Sequence, residues 1–420
     1  EKREFFLENQ GIFTFGGAAT GNAAASSNTP ILFHSRQIGL NEGHVVPIDG
    51  GGRLTGRIGR YNVGLVSMRA GDDVESGAQP TTFSVVRLRR DVLRRSSFGV
   101  LFTGRSNAVT SPGANSAYGV DGNFAFYDNL TFNTYWARTR TEGLSADDTS
   151  YRAQMDYAGD RYGIQIERLA IGDNFNPEMG FLRRDDMKRS FGLFRFSPRP
   201  RGFTSVRKFF WAGSVDYVTD GADHLETRDL SGEFAIEFET SDRFAVIYND
   251  TYEFLPRPFR IGPAVTLPIG GYSASNLRVA MNFGQHRKFS GNLTAERGSF
   301  YGGERTAVSV SRGRANLGSQ LSLEPTYSAN WVDLPQGSFT THLVGSRVTY
   351  TMTPLMFVSA LLQYNSAIHA VAANVRLRWE YQPGSELFVV YNEERDTWGR
   401  RFPDLANRAL IVKINRLFRF

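Results

Sequence analysis

Residues Ala373 to Gln382 read ANVRLRWEYQ. Successive side chains of an extended strand point to opposite faces. Ala373, Val375, Leu377, Trp379 and Tyr381 therefore share one face, and Asn374, Arg376, Arg378, Glu380 and Gln382 share the other. One face is apolar and aromatic, the other polar and charged. The same period recurs through the chain. YRAQMDY sets Tyr151, Ala153, Met155 and Tyr157 against Arg152, Gln154 and Asp156. RYGIQIE sets Tyr162, Ile164 and Ile166 against Gln165 and Glu167, and GEFAIEFE sets Phe234, Ile236 and Phe238 against Glu233, Glu237 and Glu239. In FSVVRLRRD, Arg87 and Arg89 share a face with Phe83 and Val85. The final stretch, LIVKINRLFRF, places Leu410, Val412, Ile414, Phe418 and Phe420 together and is expected to be a strand that runs to the last residue.

Period-2 alternation fits a soluble β-sandwich or a transmembrane β-barrel. In a sandwich, aromatics such as Trp379 and Tyr381 would be buried against a second sheet; in a barrel they would sit at the membrane interfaces. The composition suits many strands and tight turns: 420 residues with 33 Phe, 17 Tyr, 43 Gly and no Cys. Mean hydropathy is -0.33, which excludes a bundle of membrane helices, each of which needs about twenty consecutive apolar residues. A barrel tolerates such a value because only alternate residues face lipid. Without cysteine there is neither a disulfide framework nor a thiolate metal site. The formal charge of +6 comes from 48 Lys and Arg interleaved with 42 acids; no basic block points to nucleic acid. EKREFFLENQ opens on charges and lacks the apolar core of a signal peptide. For an exported barrel, the chain is then expected to be mature, trimmed or the C-terminal part of something longer.

Turn lengths favour the barrel. Short turns such as IGRYN, LRRSS, YDN, AGDR, SPRPRG, TSDR and YQPGSE alternate with longer connections, among them AGDDVESGAQPT, SNAVTSPGANS, IGDNFNPEMGFLRRDD, TDGADHLETR and LPRPFRIGPAVTLPIGG. Short turns at one end and long loops at the other describe an outer-membrane barrel, with turns periplasmic and loops extracellular. The expected fold is all-β, a transmembrane antiparallel barrel of about 22 strands, 20–24 being compatible, over residues 29–420. Residues 1–28 do not alternate. They are expected to form a periplasmic lead-in or a segment that plugs the lumen, a flexible linker being the simpler reading of FGGAATGNAAASSN.

Six stretches, EKREFFLEN, ILFHSRQIG, DNFNPEMGFLRRDD, VDLPQGSFTTHL, VVYNEERD and the terminal LFRF, together resemble a bacterial outer-membrane barrel family of unknown function. That family usually forms the C-terminal part of proteins with an upstream carbohydrate-binding family-9-like domain. The resemblance implies fold and location, and no defined activity. The upstream domain is not part of this sequence.

No phosphate loop, GxSxG elbow or HExxH pattern occurs, and the six histidines are scattered. No enzyme, cofactor or metal is expected. Acid clusters such as Asp72, Asp73 and Glu75 lack the spacing of a calcium loop. The candidates are charges on inward faces: Arg87, Arg89, Arg152, Asp156, Glu167, Glu233, Glu237, Glu239, Arg376, Arg378 and Glu380. They would set a pore's selectivity or pair across strands and fill a polar interior. The loop residues Phe175, Glu178, Phe181, Arg183 and Arg184 would form a constriction or a ligand site at the mouth. Phe418 and Phe420 resemble the C-terminal signal read by the barrel-insertion machinery. The expected function is a channel or transporter for small polar solutes, oligosaccharides included, in the outer membrane of a Gram-negative-type bacterium. The alternative is a closed barrel serving as anchor or platform for a partner or an N-terminal binding domain, and an outer-membrane enzyme is the third and least favoured reading. Expected partners are outer-membrane lipid and lipopolysaccharide, the insertion machinery, and a periplasmic or surface protein.

Overall fold

The structure, a computed structural model, describes residues 4–17, 28–41, 43–262, 265–399 and 403–418. Its 21 principal strands, from Ile48–Ile58 to Asp404–Asn415, are ordered as a closed antiparallel barrel. Two small hairpins stand apart, Leu40–Asn41 with His44–Val45 and Phe259–Arg260 with Thr266–Leu267. The count is one below the anticipated 22 and odd. The barrel begins at Ile48, since Ile31 bridges Phe181 and Ser35–Gln37 forms a 3-10 turn instead of a strand. At the other end the last strand stops at Asn415, short of the expected terminus.

The chain divides into two compact units, residues 1–195 with 214–228, and residues 196–213 with 229–420. In the first, connections alternate cleanly. Short turns at 59–60, 94–95, 127–129 and 159–161 oppose long loops at 71–80, 106–114, 142–148 and 172–186. In the second, WVDLPQGSFT reads as a longer connection and SFYGGER as an intermediate one, yet the connections at 335–336 and 301–302 are tight turns, because the flanking strands extend to Leu334, Gly337, Phe300 and Gly303.

Alternation appears directly as burial. Along Tyr61–Ala70, the residues Gly64, Val66, Met68 and Ala70 are buried while Leu65, Ser67 and Arg69 are exposed. Along Thr81–Leu93, Phe83, Val85 and Arg87 are buried beside exposed Val86 and Leu88. Against the buried face of the first unit lie residues 4–17 and 28–39. Phe6, Phe13, Phe15, Leu32 and Ile38 join Val66, Val85, Leu101, Ala117, Ala137 and Leu169 in one hydrophobic core. Residues 4–17 are thus packed on this wall, while 18–27, most of the FGGAATGNAAASSN stretch, lie outside the described residues.

The opposite faces carry exposed apolar residues on strand after strand. They include Leu65, Val86, Val100, Phe102, Val120, Trp136, Tyr151 and Ile166 in the first unit, and Trp211, Leu277, Val279, Val308, Trp331, Leu362, Val412 and Ile414 in the second. Soluble proteins do not leave so extended an apolar surface in water. A closed antiparallel barrel satisfies its backbone between strands and can place that surface in lipid. No helix among the described residues is long and apolar enough to cross a membrane, and the crossing is made by strands. The architecture is that of a membrane-spanning β-barrel.

Candidate functional site

The inward face of the first unit is organised around aromatic side chains seated over glycines. A Cβ at Gly64 would stand 2.7 Å from Phe13 Cε1, and one at Gly119 would stand 2.7 Å from Phe15 Cζ. These strand glycines are sockets: they give up a side chain so that a ring from the N-terminal segment can reach the sheet. Gly16 follows with φ +62, a left-handed conformation that glycine adopts without Cβ strain. That turn brings both peptide groups of Gly16 onto charged wall residues.

Arg87, 1% exposed, grips Asp121 through both terminal nitrogens at 2.6 and 2.9 Å. Its guanidinium lies 5.6 Å from the centre of the Phe15 ring. Asp121 Oδ2 in turn accepts the Gly16 N–H at 3.2 Å. On the neighbouring strands Arg152 donates to Glu167 at 2.6 Å and to the Gly16 carbonyl at 3.2 Å. Glu167 also pairs with Arg189, which donates to Asp216 at 2.7 Å. Each charge is compensated, as burial requires, and two of the links end on the N-terminal segment. Phe15 packs on Tyr135, whose hydroxyl is 2.9 Å from Ser150 Oγ. Arg53 reaches the carbonyls of Phe5 and Glu8.

The loop 172–186 closes over the same unit. Phe175 and Met179 are 1% exposed, and the loop's backbone zips to the N-terminal segment through Ile31 and Phe181, with the His34 N–H on the Met179 carbonyl at 2.8 Å. Glu178 accepts the N–H groups of Val109 and Thr110 at 2.8 and 3.1 Å, so it ties one long loop to another. Phe181 is 41% exposed, and Arg184 pairs with Glu226. Arg183 follows in the same loop and, like Arg184, is engaged with neighbours.

The second unit has a different inward face. Neutral polar residues meet across strands in register: Ser231 with Asn249 at 2.9 Å, Asn249 with Asn276 at 3.0 Å, Thr294 with Ser309 at 2.7 Å, Asn330 with Thr341 at 3.2 Å, and Asn374 with Asn392. Charges on this face are largely paired: Glu296 with Arg278 and Arg305, Glu233 with Arg243, Glu237 and Glu239 with Arg207, and Arg378 with Glu386. Glu380 accepts the Gly384 N–H at 3.0 Å. Arg376 has no ion-pair partner among the described residues and shares the inward face with Asn374 and Arg378. A recess of about 160 Å³ is lined by Gln363, Asn374, Asn392, Glu394 and Asn407. Apolar contacts on this unit form a cap where Val265 and Leu267 meet Leu255, Val332 and Leu334, and a smaller patch where Phe210 and Ile247 pack on Ala235, Ala245 and Ala280.

The inward charges predicted from sequence therefore separate. Arg87, Arg152 and Glu167 join one network around Gly16, while Arg89 and Asp156 lie on the same face of the unit outside it. Glu233, Glu237, Glu239, Arg376, Arg378 and Glu380 belong to the other unit. The alternation did not reveal Asp121, Arg189, Asp216, Phe13 or Phe15 as participants; the glycines interrupting strands at 64 and 119 were the available signal. Phe418 is 62% exposed beside Arg416, whose guanidinium lies 5.0 Å from its ring centre. Phe420 lies outside the described residues.

No protein-family model matches the chain, and no curated protein does. Among solved structures, the chain is similar to the ferric-catecholate import receptor Fiu from E. coli K12 in its open form. Identity is 7%, 86% of this chain and 70% of that one are covered, and the TM-score is 0.34. It is also similar to the ferric yersiniabactin uptake receptor FyuA from Yersinia pestis, at 12% identity over 82% of this chain, with a TM-score of 0.25. The match spans 58% of that receptor's length.

Proposed function

We propose that the protein is an outer-membrane channel for small polar solutes, in which residues 4–17 act as an internal stopper on the first unit and the second unit supplies the polar wall. The observation that supports this reading is the contrast between inward faces. One is covered by a segment of the chain's own N-terminus, held by Phe13, Phe15 and the two peptide groups of Gly16. The other presents amides and hydroxyls that hydrogen-bond along the wall and retain further capacity for water or solute. Lipid, with lipopolysaccharide, surrounds the apolar band. Catalysis has no part in this reading.

The test is single-channel conductance in a planar bilayer, with and without residues 1–28. Conductance that appears or rises on truncation is the expected result. A second reading, the barrel as a closed anchor or assembly platform for a partner, is favoured by the continuous hydrophobic core of the first unit. Silence in both forms, together with a stable co-purifying partner, would replace the channel with that platform.

A further inference from the structure

A cleft of about 580 Å³ opens at the long-loop end of the first unit, between the connections 71–80 and 106–114 and beside Leu40–Asn41. Its size falls in the range of small-molecule sites. Val46, Ala70 and Phe83 form an apolar floor, each no more than 5% exposed. One wall is Arg105, whose side chain is 12% exposed.

Arg105 is held from behind. Its Nε donates to the Asn107 carbonyl at 2.7 Å and lies 3.5 Å from Glu178 Oε2, while its guanidinium carbon stands 5.4 Å from the centre of the Phe83 ring. The two terminal nitrogens have no hydrogen-bond partner among the described residues. An almost buried guanidinium with its outer edge unused is a fork aimed at a planar anion. Glu178 does not occupy that edge, since its oxygens are engaged by the Val109 and Thr110 N–H groups and by the Thr110 hydroxyl at 2.8 Å. Ser111, also lining the cleft, has a buried hydroxyl without a partner.

We propose that this cleft binds a small molecule carrying one carboxylate and an apolar body. The carboxylate takes the terminal nitrogens of Arg105 side-on, and the body rests on Val46, Ala70 and Phe83. A single carboxylate suits the site better than a polyanion because Glu178, close behind, offsets much of the arginine's charge. The inference stands apart from the channel reading: the cleft faces the long loops and none of its lining residues belongs to residues 4–17.

The full chain in uncharged detergent micelles would be titrated calorimetrically with benzoate, with benzyl alcohol and inorganic phosphate as comparisons. Saturable benzoate binding is expected, with benzyl alcohol weaker by about tenfold or more, the loss typical of a charged hydrogen-bonded partner. Arg105→Gln should lose benzoate by a similar factor, and Arg105→Lys, which keeps the charge without the fork, should fall between. Gln79→Trp, which fills the cleft from an exposed position and leaves Arg105 untouched, should block binding even if the arginine variants fail to fold. Absence of benzoate binding, equal binding of benzyl alcohol, or undiminished binding by Arg105→Gln or Gln79→Trp would overturn the proposal. Phosphate binding tighter than benzoate would overturn the carboxylate class.

Discussion

The two units use one strand pattern and reach different interiors. In the first, inward positions are Val66, Val85, Leu101, Ala117, Ala137 and Leu169, apolar side chains that need a cover. In the second, beside a small apolar patch at Ala235, Ala245 and Ala280, they are chiefly polar, among them Asn249, Asn276, Thr294, Ser309, Asn330, Asn374 and Asn392, which can face water. The cover of the first unit comes from its own chain, because the 47 residues before the first barrel strand (Ile48) include the rings that its glycine sockets accept. Alternation decides only that a strand has two faces. Residue type on the inward face decides whether that face closes on a segment or stays wet.

The comparison is broken most directly at the rings. The double substitution Phe13→Ala, Phe15→Ala removes two buried aromatics, each of which costs roughly 3–5 kcal/mol when truncated in a packed core. We expect residues 4–17 to become cleavable by added protease while the barrel keeps its slow, heat-modifiable mobility on a gel. Continued protection of the segment would mean that the charge network, and not the rings, is the fastener. Gly64→Val tests the same seat from the wall side, since its Cβ would collide with Phe13 at 2.7 Å while leaving the segment's sequence unchanged.

Next in size is the network itself. Glu167 is 4% exposed and shared by Arg152 and Arg189, so Glu167→Gln leaves two guanidinium groups short of a counter-charge. Breaking such a buried pair costs about 3–5 kcal/mol. A variant that unfolds at a clearly lower temperature is the expected outcome. Asn374→Ala on the wall of the second unit loses one hydrogen bond at a site water can reach, worth about 1 kcal/mol or less. Equal losses at Glu167 and Asn374 would erase the distinction between a packed interior and a wet one.

Much of this was legible in the chain before folding. Assigning Arg152, Gln154 and Asp156 to one face and Tyr151, Met155 and Tyr157 to the other needs only the period, and register then carries those faces across the sheet. The N-terminal segment was obscure for a physical reason. Phe13 ends a single 3-10 turn and Phe15 follows it outside any strand, and they bind at Gly64 and Gly119, positions marked by the absence of a side chain. A missing Cβ has no hydrophobic signature. Asp121 and Arg189 were hidden similarly, because ion pairs between residues far apart in sequence follow from register, which no single strand encodes. The connection at 335–336 reads as too long by composition because the strand continues through polar Asp333, which pairs with Glu304 on the neighbouring strand.

Selectivity sharpens the wet side of the comparison. Arg378 is paired with Glu386, while Arg376 is not paired among the described residues, so the double substitution Arg376→Ala, Arg378→Ala removes one compensated and one uncompensated charge. Loss of anion preference is expected in the ion selectivity measured under a salt gradient, and most of the change should be reproduced by Arg376→Ala alone. Unchanged selectivity would remove both arginines from the conducting wall.

The smallest effect concerns the turns, and it is read through pH. Asp242, in the turn 239–242, accepts hydrogen bonds from Arg287, from the Gly284 N–H at 2.9 Å and from Thr240 at 2.8 Å. The Arg287 hydrogen bond leads these in holding its carboxyl well below the usual carboxylate range. A pKa depressed on folding contributes stability that is fully present above the unfolded value and is lost as pH falls through the folded one. Thermal unfolding should therefore separate the native chain from Asp242→Asn at pH 7, and the gap should narrow only in strong acid. A gap that is already closed at pH 5 would show that folding does not lower the pKa of the Asp242 carboxyl. A gap independent of pH down to 2 would place the stabilisation in packing of the turns rather than in charge.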